Sequence, residues 1–364
     1  MWLLAISFLL LAVACSSSDE SGEQQPTTLT VYVYSPEHPM LIRSDVGNVN
    51  ASFDETKITR LQIWVFTNGT HEKVAYLDTK ETSQLNVGEG AVYQLPVSDA
   101  FAQHKPDVDV YVLANIPTEG YASDSKLDGN SSRDAILSAT IPENHFGLAS
   151  PTTQVPDEGL PMAGALTSQP VIGEAPVLRV GTSSNIATVR LERAVSKVRF
   201  VFANTDVEPE LKIKHIQLDA QMIPNTEYLI QQTRTLTYNT SASSLWEATN
   251  PEDKVVKVAN PTIYIYGGQE AQEYENLIDQ SELTKIGPFY LRESDKKLKG
   301  TITYQIGESA DQTGTFEMDA AGDFRRNHTW IVYAYHAGGG FLQMNAIYVK
   351  KWTTKEKNHE VYNW

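Results

Sequence analysis

The sequence has a single cysteine, a shortage of basic residues and no familiar catalytic motif. Lys and Arg number 29 against 45 Asp and Glu in 364 residues, and the formal charge is −16. A lone cysteine excludes an internal disulfide framework and any site built from paired cysteines. The acidic balance disfavours nucleic-acid binding, which needs a basic surface to neutralise phosphates. Hydrophobic residues make up 41%, which suffices for a packed core, and the length favours two domains.

Signatures of enzymes are absent from the sequence. It has no glycine-rich dinucleotide motif, phosphate-binding loop, zinc-protease motif or nucleophile elbow. The eight histidines are scattered, and His328, in RRNHTW, is interpreted as a turn or surface residue. Asp107 and Asp109 alternate with valines, which indicates a solvated strand face in preference to a calcium site. The sequence therefore predicts no enzyme, no metal site and no cofactor.

The cysteine follows an apolar segment at the start of the chain. Residues 1–14, MWLLAISFLLLAVA, are too few for a permanent transmembrane helix, which needs about 20 apolar residues. They are typical of a signal peptide, although no Lys or Arg precedes them. Ala-Val-Ala before Cys15 is similar to a bacterial lipobox, in which the cysteine is lipidated, and the polar stretch SSSDESGEQQPTT predicts a tether. A secretory signal with an incidental cysteine is the alternative.

Most of the remaining chain is predicted to form short strands. Residues 28–34, TLTVYVY, alternate strictly, with Leu29, Val31 and Val33 on one face. Similar patterns predict strands at 58–66, 74–78, 91–95, 107–117, 177–181, 211–218, 227–237, 262–267, 297–307 and 329–338, and a short helix at 131–139 capped by Ser131 or Ser132. This predicts an all-β fold with a minor helix, arranged as two β-sandwich-like domains.

One long segment breaks the alternation. ATVRLERAVSKVRFVFAN (187–204) shifts phase near Ala194, which predicts a bulge or a passage between two sheets. The domain boundary is placed near residue 183, in the polar stretch GTSSN. The predicted order is a signal peptide, a tether with the first strand, two domains and a C-terminal arm, over residues 1–14, 15–43, 44–183, 184–340 and 341–364.

Two features outside this pattern bear on function. Arg43 lies in a loop with Pro and Gly between the first two strands, where an accessible backbone favours proteolysis. Gly338 to Gly340 predict a flexible joint before the strand FLQMNAIYVKKW. The strand is apolar on both sides, with Met344, Ala346, Tyr348 and Trp352 on one face and Ile347 and Val349 on the other. It therefore needs a sheet, and folding back as the edge strand of its own domain is an alternative to leaving as an arm.

Taken together, these stretches resemble the fimbrillin pilins, the subunits of type V pili of Bacteroidales. The resemblance runs over essentially the whole chain and rests on the order of its parts. These are the lipobox cysteine and tether, TLTVYVY, the arginine-bearing loop, KITRLQIWVF, VYVLANIP, GLPMAG, RLERAVSKVRF, RRNHTWIVYAY, and a tail with Trp352 and Trp364. The resemblance implies a fimbrillin-type fold of two transthyretin-like domains.

The resemblance also implies a route from precursor to pilus. Cys15 would anchor the exported precursor to outer-membrane lipid, and an arginine-specific protease would cut between Arg43 and Ser44. The discarded part would include the strand at 27–35, with Leu29, Val31 and Val33. The C-terminal strand of a neighbouring subunit would fill the vacated groove. Arg60 is a weaker cleavage candidate because it falls inside a predicted strand.

The resulting hypothesis is a structural, stalk-type subunit of an extracellular fimbria. It would form homopolymers, contact accessory subunits and contribute to adhesion to a host or bacterial ligand of unknown identity. A tip or anchor subunit is the alternative within the resemblance. The alternative from another class is a surface lipoprotein that binds glycans or host proteins without polymerising, with exposed aromatic residues such as Trp246 as a sugar platform.

Overall fold

The computed structural model describes most of the chain between residues 28 and 351. The described residues are 28–34, 55, 57–79, 91–104, 107–121, 126–148, 151–166, 178–179, 186–205, 209–232, 235–250, 254–256, 283–318, 324–336, 338 and 340–351. The predicted signal peptide, Cys15, the loop with Arg43 and Ser44, the predicted strand at 262–267, Trp352 and Trp364 lie outside them.

The described residues are almost entirely β-structure. In chain order the elements are β1 (Thr28–Tyr34), β2 (Leu61–Thr67), β3 (Lys73–Asp78), β4 (Ala91–Pro96), α1 (Asp99–His104), β5 (Asp107–Ala114), α2 (Arg133–Ser138), β6 (Thr140–Ile141), β7 (Met162–Leu166), β8 (Leu178–Arg179), β9 (Ile186–Arg190), β10 (Glu192–Arg193), β11 (Ser196–Asn204), β12 (Leu211–Leu218), β13 (Glu227–Tyr228), β14 (Ser243–Glu247), β15 (Thr284–Leu291), β16 (Lys299–Ile306), β17 (Gln312–Glu317), β18 (His328–His336) and β19 (Gln343–Lys351). The predicted all-β fold class is confirmed.

Two sheets form a sandwich in the first half of the chain. The β1 sheet has the order β4–β1–β9, and the β2 sheet has the order β10–β7–β5–β2–β3, with β8 paired to β5. Leu61, Ile63 and Val65 of β2 pack towards the β1 sheet, as their shared face predicts. Trp64 and Phe66 are also buried, in a second cluster on the opposite side. The β2 sheet is therefore covered on both faces, as a near-continuous apolar strand requires.

A second sandwich follows in the other half. The β18 sheet has the order β15–β11–β18–β19, and the β12 sheet has the order β14–β12–β16–β17. Their inner faces share one apolar cluster, in which Phe200 of β11 meets Phe316 of β17 edge to face at 5.4 Å. The burial of β16 alternates strictly between exposed or intermediate and buried positions, as expected for a strand with one face on the core.

The phase shift at 187–204 is a passage between sheets. Strand β9 lies in the β1 sheet, β10 in the β2 sheet and β11 in the β18 sheet, so this single segment crosses from one half to the other. The predicted passage is confirmed. Strands β9 and β10 pair with strands of the first half, and β11 pairs with β15 and β18, so the change of sheet comes between Arg193 and Ser196. A domain boundary near residue 183 stays a prediction.

Several predicted elements have different bounds in the structure. The strand predicted at 107–117 ends at Ala114, because Asn115 takes a left-handed backbone with φ of 61°. Among the described residues of the strand predicted at 227–237, Glu227–Tyr228 is the part that forms a strand, and it pairs with Thr140–Ile141 of the first half. Helix α2 starts after Ser132, whose hydroxyl accepts a hydrogen bond from the Ala135 amide.

Candidate assembly site around strand β1

Strand β1 is the first described element of the chain and lies at the centre of its sheet. It pairs antiparallel with β4, from Thr28 opposite Pro96 to Val33 opposite Ala91. On its other side it pairs parallel with β9, from Thr30 opposite Ile186 to Tyr34 opposite Arg190. A central strand shares hydrogen bonds with both neighbours, so its loss would leave two strand edges unpaired at once.

The inward face of β1 is the alternating apolar face that the sequence predicts. Leu29 and Val31 are 0% exposed and Val33 is 3% exposed. Full burial of three such side chains contributes roughly 1.5–3 kcal/mol each, or about 5–9 kcal/mol in all. Strand β1 thus contributes substantially to the first core.

Apolar side chains from three directions surround that face. The floor comes from β2 and β5, and the walls come from β4 and β9, with these members: Leu61, Ile63, Val65, Val108, Val110, Val112, Leu95, Ala187 and Val189. Tyr93 of β4 packs partly buried against the same cluster, and burial raises the pKa of its phenol to about 12. Without β1 these side chains would line a groove that accepts alternate apolar side chains of an extended strand.

The β9 wall also contacts the β2 sheet. A Cβ added at Gly164 of β7 would lie 2.3 Å from the Arg190 carbonyl oxygen and 2.8 Å from Val189 Cγ1. Only glycine allows this close approach of β7 to β9, which explains the last residue of the GLPMAG stretch. Strand β9 therefore has a contact with β7 in addition to its pairing with β1.

Asn115 holds together three of the stretches on which the family resemblance rests. Its side-chain oxygen accepts from the Thr59 amide at 2.9 Å, and its amide donates to the carbonyls of Lys57 and Leu160 at 2.7 and 2.8 Å. These contacts connect KITRLQIWVF, VYVLANIP and GLPMAG below the groove. Asn is among the residues that tolerate a left-handed backbone, which Asn115 adopts. Hydrogen bonds of Asn115 thus join the three stretches to one another.

Glu55, the first described residue after Arg43, anchors the chain. The Glu55 carboxylate accepts from Lys197 at 3.0 Å and from the Tyr290 hydroxyl at 2.7 Å. The Glu55 carbonyl accepts from Arg193 Nε at 2.9 Å, and Arg193 also donates to Asn327. Burial and the Glu55 charge raise the pKa of Tyr290. Cleavage before Glu55 would therefore leave β2 tied to both halves. No sequence pattern pointed to Glu55, because its partners are more than a hundred residues away.

Arg60 is not available as a cleavage site in this fold. It precedes β2 by one residue and does not lie inside it, which corrects the predicted bounds. Its guanidinium donates to both Asp78 oxygens, at 2.5 and 3.0 Å, and to the Ile116 carbonyl at 3.2 Å. A bidentate pair of this kind in a partly buried setting keeps the side chain in place.

The C-terminal strand lies on its own half in the single chain. Strand β19 pairs antiparallel with β18, from His328 opposite Lys351 to Tyr335 opposite Gln343. It follows Gly338 and Gly340, whose φ values are 80° and 81°. The Leu342 amide donates to the Tyr304 hydroxyl at 3.0 Å, and Met344 packs against the second core. Of Ala346, Ile347, Tyr348 and Val349 the structure describes the backbone position only.

A buried charge network includes Glu227 of β13, the strand that pairs with β6 of the first half. Arg326 donates from Nε to Glu293 at 2.7 Å, from Nη2 to Glu227 at 3.2 Å and from Nη1 to the Leu229 carbonyl at 2.7 Å. Burial, reinforced by the nearby Glu293 charge, raises the pKa of Glu227 to about 7. Burial also lowers the pKa of Arg292 to about 10. The Glu293 carboxylate is largely buried in its ion pair with Arg326.

Other residues singled out in the sequence have structural roles. Asp109 is 1% exposed, accepts from Asn68 and faces Arg133 at 3.5 Å, so the predicted solvated strand face is wrong there. His328 opens β18, with Nδ1 2.8 Å from the Arg326 carbonyl oxygen. Trp246 is partly buried against the second core. Among the described residues, no group of His, Cys, Asp and Glu could hold a metal ion, and no helix has the length and apolarity to span a membrane.

Comparisons with known proteins found similar solved structures. The tip fimbrial protein of Porphyromonas gingivalis, truncated at its C-terminus, is 14% identical, with 90% of this chain and 100% of that chain covered and a TM-score of 0.46. A protein from Parabacteroides distasonis proposed to act in cell adhesion is also 14% identical, with 90% and 97% covered and a TM-score of 0.49. The fimbrial anchor protein of Porphyromonas gingivalis is 9% identical, with 90% and 98% covered and a TM-score of 0.40. No family model and no curated protein matches the chain.

Proposed function

We propose that this chain is a stalk subunit of a cell-surface fimbria and that a strand from a neighbouring subunit replaces β1 during assembly. The observation that carries the proposal is the place of β1. A strand at the start of the described chain, joined to β2 through the segment that contains Arg43, is hydrogen bonded on both edges and buried on its inner face.

Replacement of β1 by a donor strand would restore the burial of apolar surface that is lost with β1. Its loss exposes the edges of β4 and β9 and the apolar floor, which together cost several kcal/mol while they face water. A donor strand with alternating apolar side chains recovers that burial, and the ordering of the arm offsets part of the gain. The close approach of β7 to β9 at Gly164 and the bond between Glu55 and Lys197 do not involve β1, so both contacts would be available to the groove after cleavage.

The donor would be the C-terminal arm, residues 341–364. Strand β19 has one partner strand among the described residues, β18, so its release breaks a single ladder. Met344, Ala346, Ile347, Tyr348, Val349 and Trp352 would supply the apolar side chains. The groove lies in the first half and the arm in the second. The contact is therefore head to tail, which gives an open fibre and not a closed dimer.

Processing would precede assembly in this proposal. Cys15 would hold the precursor at the outer membrane, and cleavage between Arg43 and Ser44 by an arginine-specific protease would release the first strand and the lipid together. The mature chain would then be free of cysteine, and the extracellular fibre would depend on strand insertion. The subunit would contribute to adhesion through the assembled fimbria.

The test is to block cleavage at Arg43 and to restore it by another route. We expect Arg43→Ala and Arg43→Lys to remain lipidated monomers, because an arginine-specific protease accepts neither. A variant with an unrelated protease site at the same position should polymerise when that protease is added. N-terminal sequencing and electrophoresis of unheated samples give both readouts. Normal polymers from Arg43→Ala would refute cleavage at this bond as the activating step.

The placement of β19 favours a second candidate function. A strand that folds on its own half suits a surface lipoprotein that binds glycans or host proteins and does not polymerise. Protein isolated from cells with residues 27–35 intact and a lipidated Cys15 would support that candidate, or an anchor subunit. A start at Ser44 would support the stalk.

A further inference from the structure

A polar cavity of about 440 Å³ lies where loops of the two halves meet. Glu143, which follows β6, contributes from the first half, and Asn225, Asn239, Ser241 and Arg292 contribute from the second. The volume is within the range of small-molecule sites, roughly 300–1,000 Å³. None of these residues belongs to β1, β4, β9 or β19, so the cavity is separate from the proposed assembly groove.

The walls of the cavity are held by backbone hydrogen bonds. The Asn225 amide donates to the Thr237 carbonyl at 2.8 Å, and the Gln221 amide donates to the Asn239 carbonyl at 3.0 Å. Pro224 and Tyr238 form a bridge between the same two segments. A site fixed in this way loses little conformational entropy when it binds a ligand.

Arg292 connects the first half of the chain to these cavity walls by hydrogen bonds. It donates to the carbonyls of Pro142, His145 and Pro224 at 2.7, 2.6 and 2.8 Å. A Cβ at Gly147 would lie 2.4 Å from its Nη2, so this position leaves space for the guanidinium only as glycine. Arg292 is 2% exposed and so acts mainly as a positioning residue that also provides positive charge at the cavity wall.

The lining combines groups that recognise hydroxyls. Asn225 and Asn239 contribute carboxamide side chains, and Asn239 Nδ2 donates to Ser243 at 3.3 Å. Ser241 adds a hydroxyl that both donates and accepts. The exposed Glu143 carboxylate and the Arg292 guanidinium have opposite charges, so the lining selects neither an anion nor a cation.

Apolar surface completes the lining. Leu148 and Ile223 are buried residues at the cavity wall. Tyr238 also lines it, with its hydroxyl bonded to Asp295 and Lys296 Nζ 4.8 Å from its ring centroid. A sugar ring has the matching character, because hydroxyls surround its edge and C–H groups form its faces. We propose that this cavity binds a neutral saccharide.

The test is a binding measurement on the purified full chain, which needs no polymer. The probes are maltotetraose, mannotetraose, chitotetraose and lacto-N-tetraose as neutral sugars, with 3′-sialyllactose as the acidic comparison, measured by calorimetry and saturation-transfer NMR. We expect at least one neutral probe to bind. Ser241→Trp should weaken that probe at least tenfold, because the indole fills the cavity. Ser309→Trp, at an exposed serine in the β16–β17 turn, is the matched control and should bind normally.

Charge distinguishes the proposed ligand class from the acidic one. Glu143→Gln should weaken a neutral sugar by about threefold, because a charge-assisted hydrogen bond becomes a neutral one. An acidic ligand would instead bind more tightly to this variant. Binding of 3′-sialyllactose alone, no binding of any neutral probe, or equal affinity for Ser241→Trp and the wild type would each overturn the proposal. These outcomes leave the assembly proposal untouched, because Arg43 cleavage tests it separately.

Discussion

The strands near the two ends of the chain, β1 and β19, occupy opposite kinds of position. Strand β1 has partners on both edges and three fully inward apolar side chains, whereas β19 has one partner among the described residues. Removing β1 would leave a groove with two unpaired edges. Removing β19 would shorten a sheet and transfer the edge to β18. One terminal strand is therefore suited to be replaced, and the other is suited to leave.

Strands β1 and β19 are also held in place by different contacts. β1 is retained by a buried face and by a covalent connection that passes through Arg43. β19 is retained by β18, by the Tyr304 hydroxyl and by the contact of Met344 with the second core. Cleavage at Arg43 would remove the covalent connection of β1 and would leave its buried face and the contacts of β19 unchanged.

The largest expected effect is on the stability of the chain, at Val31 on the inner face of β1. Val31→Asp places an unpaired carboxylate at a position with 0% exposure, and we expect the free energy of unfolding of the uncleaved chain to fall by on the order of 4 kcal/mol. Thr30→Asp, on the half-buried outer face of the same strand, should cost much less. Urea unfolding of both variants gives the comparison. Similar losses for the two would mean that β1 does not depend on its inner face.

The alternation of TLTVYVY was sufficient to predict which side of β1 is buried, because a strand with period two has one face to assign. It was not sufficient to predict that β1 is central, since the partners at 91–96 and 186–190 are distant in sequence. Glu55 was missed for the same reason, as its contacts with Lys197 and Tyr290 join both halves. Asp109 was misread because alternation on a strand covered on both faces does not distinguish solvent from interior.

The second expected effect concerns the junction between the half that holds β1 and the half that holds β19. The pKa of Glu227 is raised to about 7, above its ordinary value of 4.5, chiefly by burial and further by Glu293. Protonated Glu227 is thus favoured in the folded state. Its contribution to stability is fully present below pH 4.5 and is lost as the pH rises through about 7.

Glu227→Gln should remove this pH dependence. We expect the wild type to lose about 2 kcal/mol of unfolding free energy between pH 5 and pH 8 in excess of the variant. Glu247→Gln, at an exposed carboxylate of β14, is the control and should follow the wild type. Urea unfolding at several pH values measures this. The same slope for Glu227→Gln and the wild type would assign the dependence to another group. Arg326, Arg292 and Glu293 are the charged groups nearest to Glu227.

The smallest effect is expected where β19 meets the β12 sheet. A Cβ at Gly314 of β17 would lie 2.3 Å from Met344 Cε, the flexible end of a side chain. Gly314→Ala should therefore destabilise the chain by about 1 kcal/mol through overpacking. In a Met344→Ala background the space is free, and the same change should be neutral. An equal loss of unfolding free energy in both backgrounds would show that the substitution acts on the backbone of β17 and not on the contact with Met344 of β19.

The same pair connects stability with assembly. If β19 leaves its own half to become a donor strand, then weakening its contacts with that half lowers the barrier to its release. A cleaved chain with Gly314→Ala should polymerise faster than the wild type, while its groove is unchanged because Gly314 lies in the other half. Light scattering after addition of the protease gives the rates. An unchanged rate, together with a lower unfolding free energy, would mean that β19 stays on β18 in the fibre and that residues after Lys351 supply the donor.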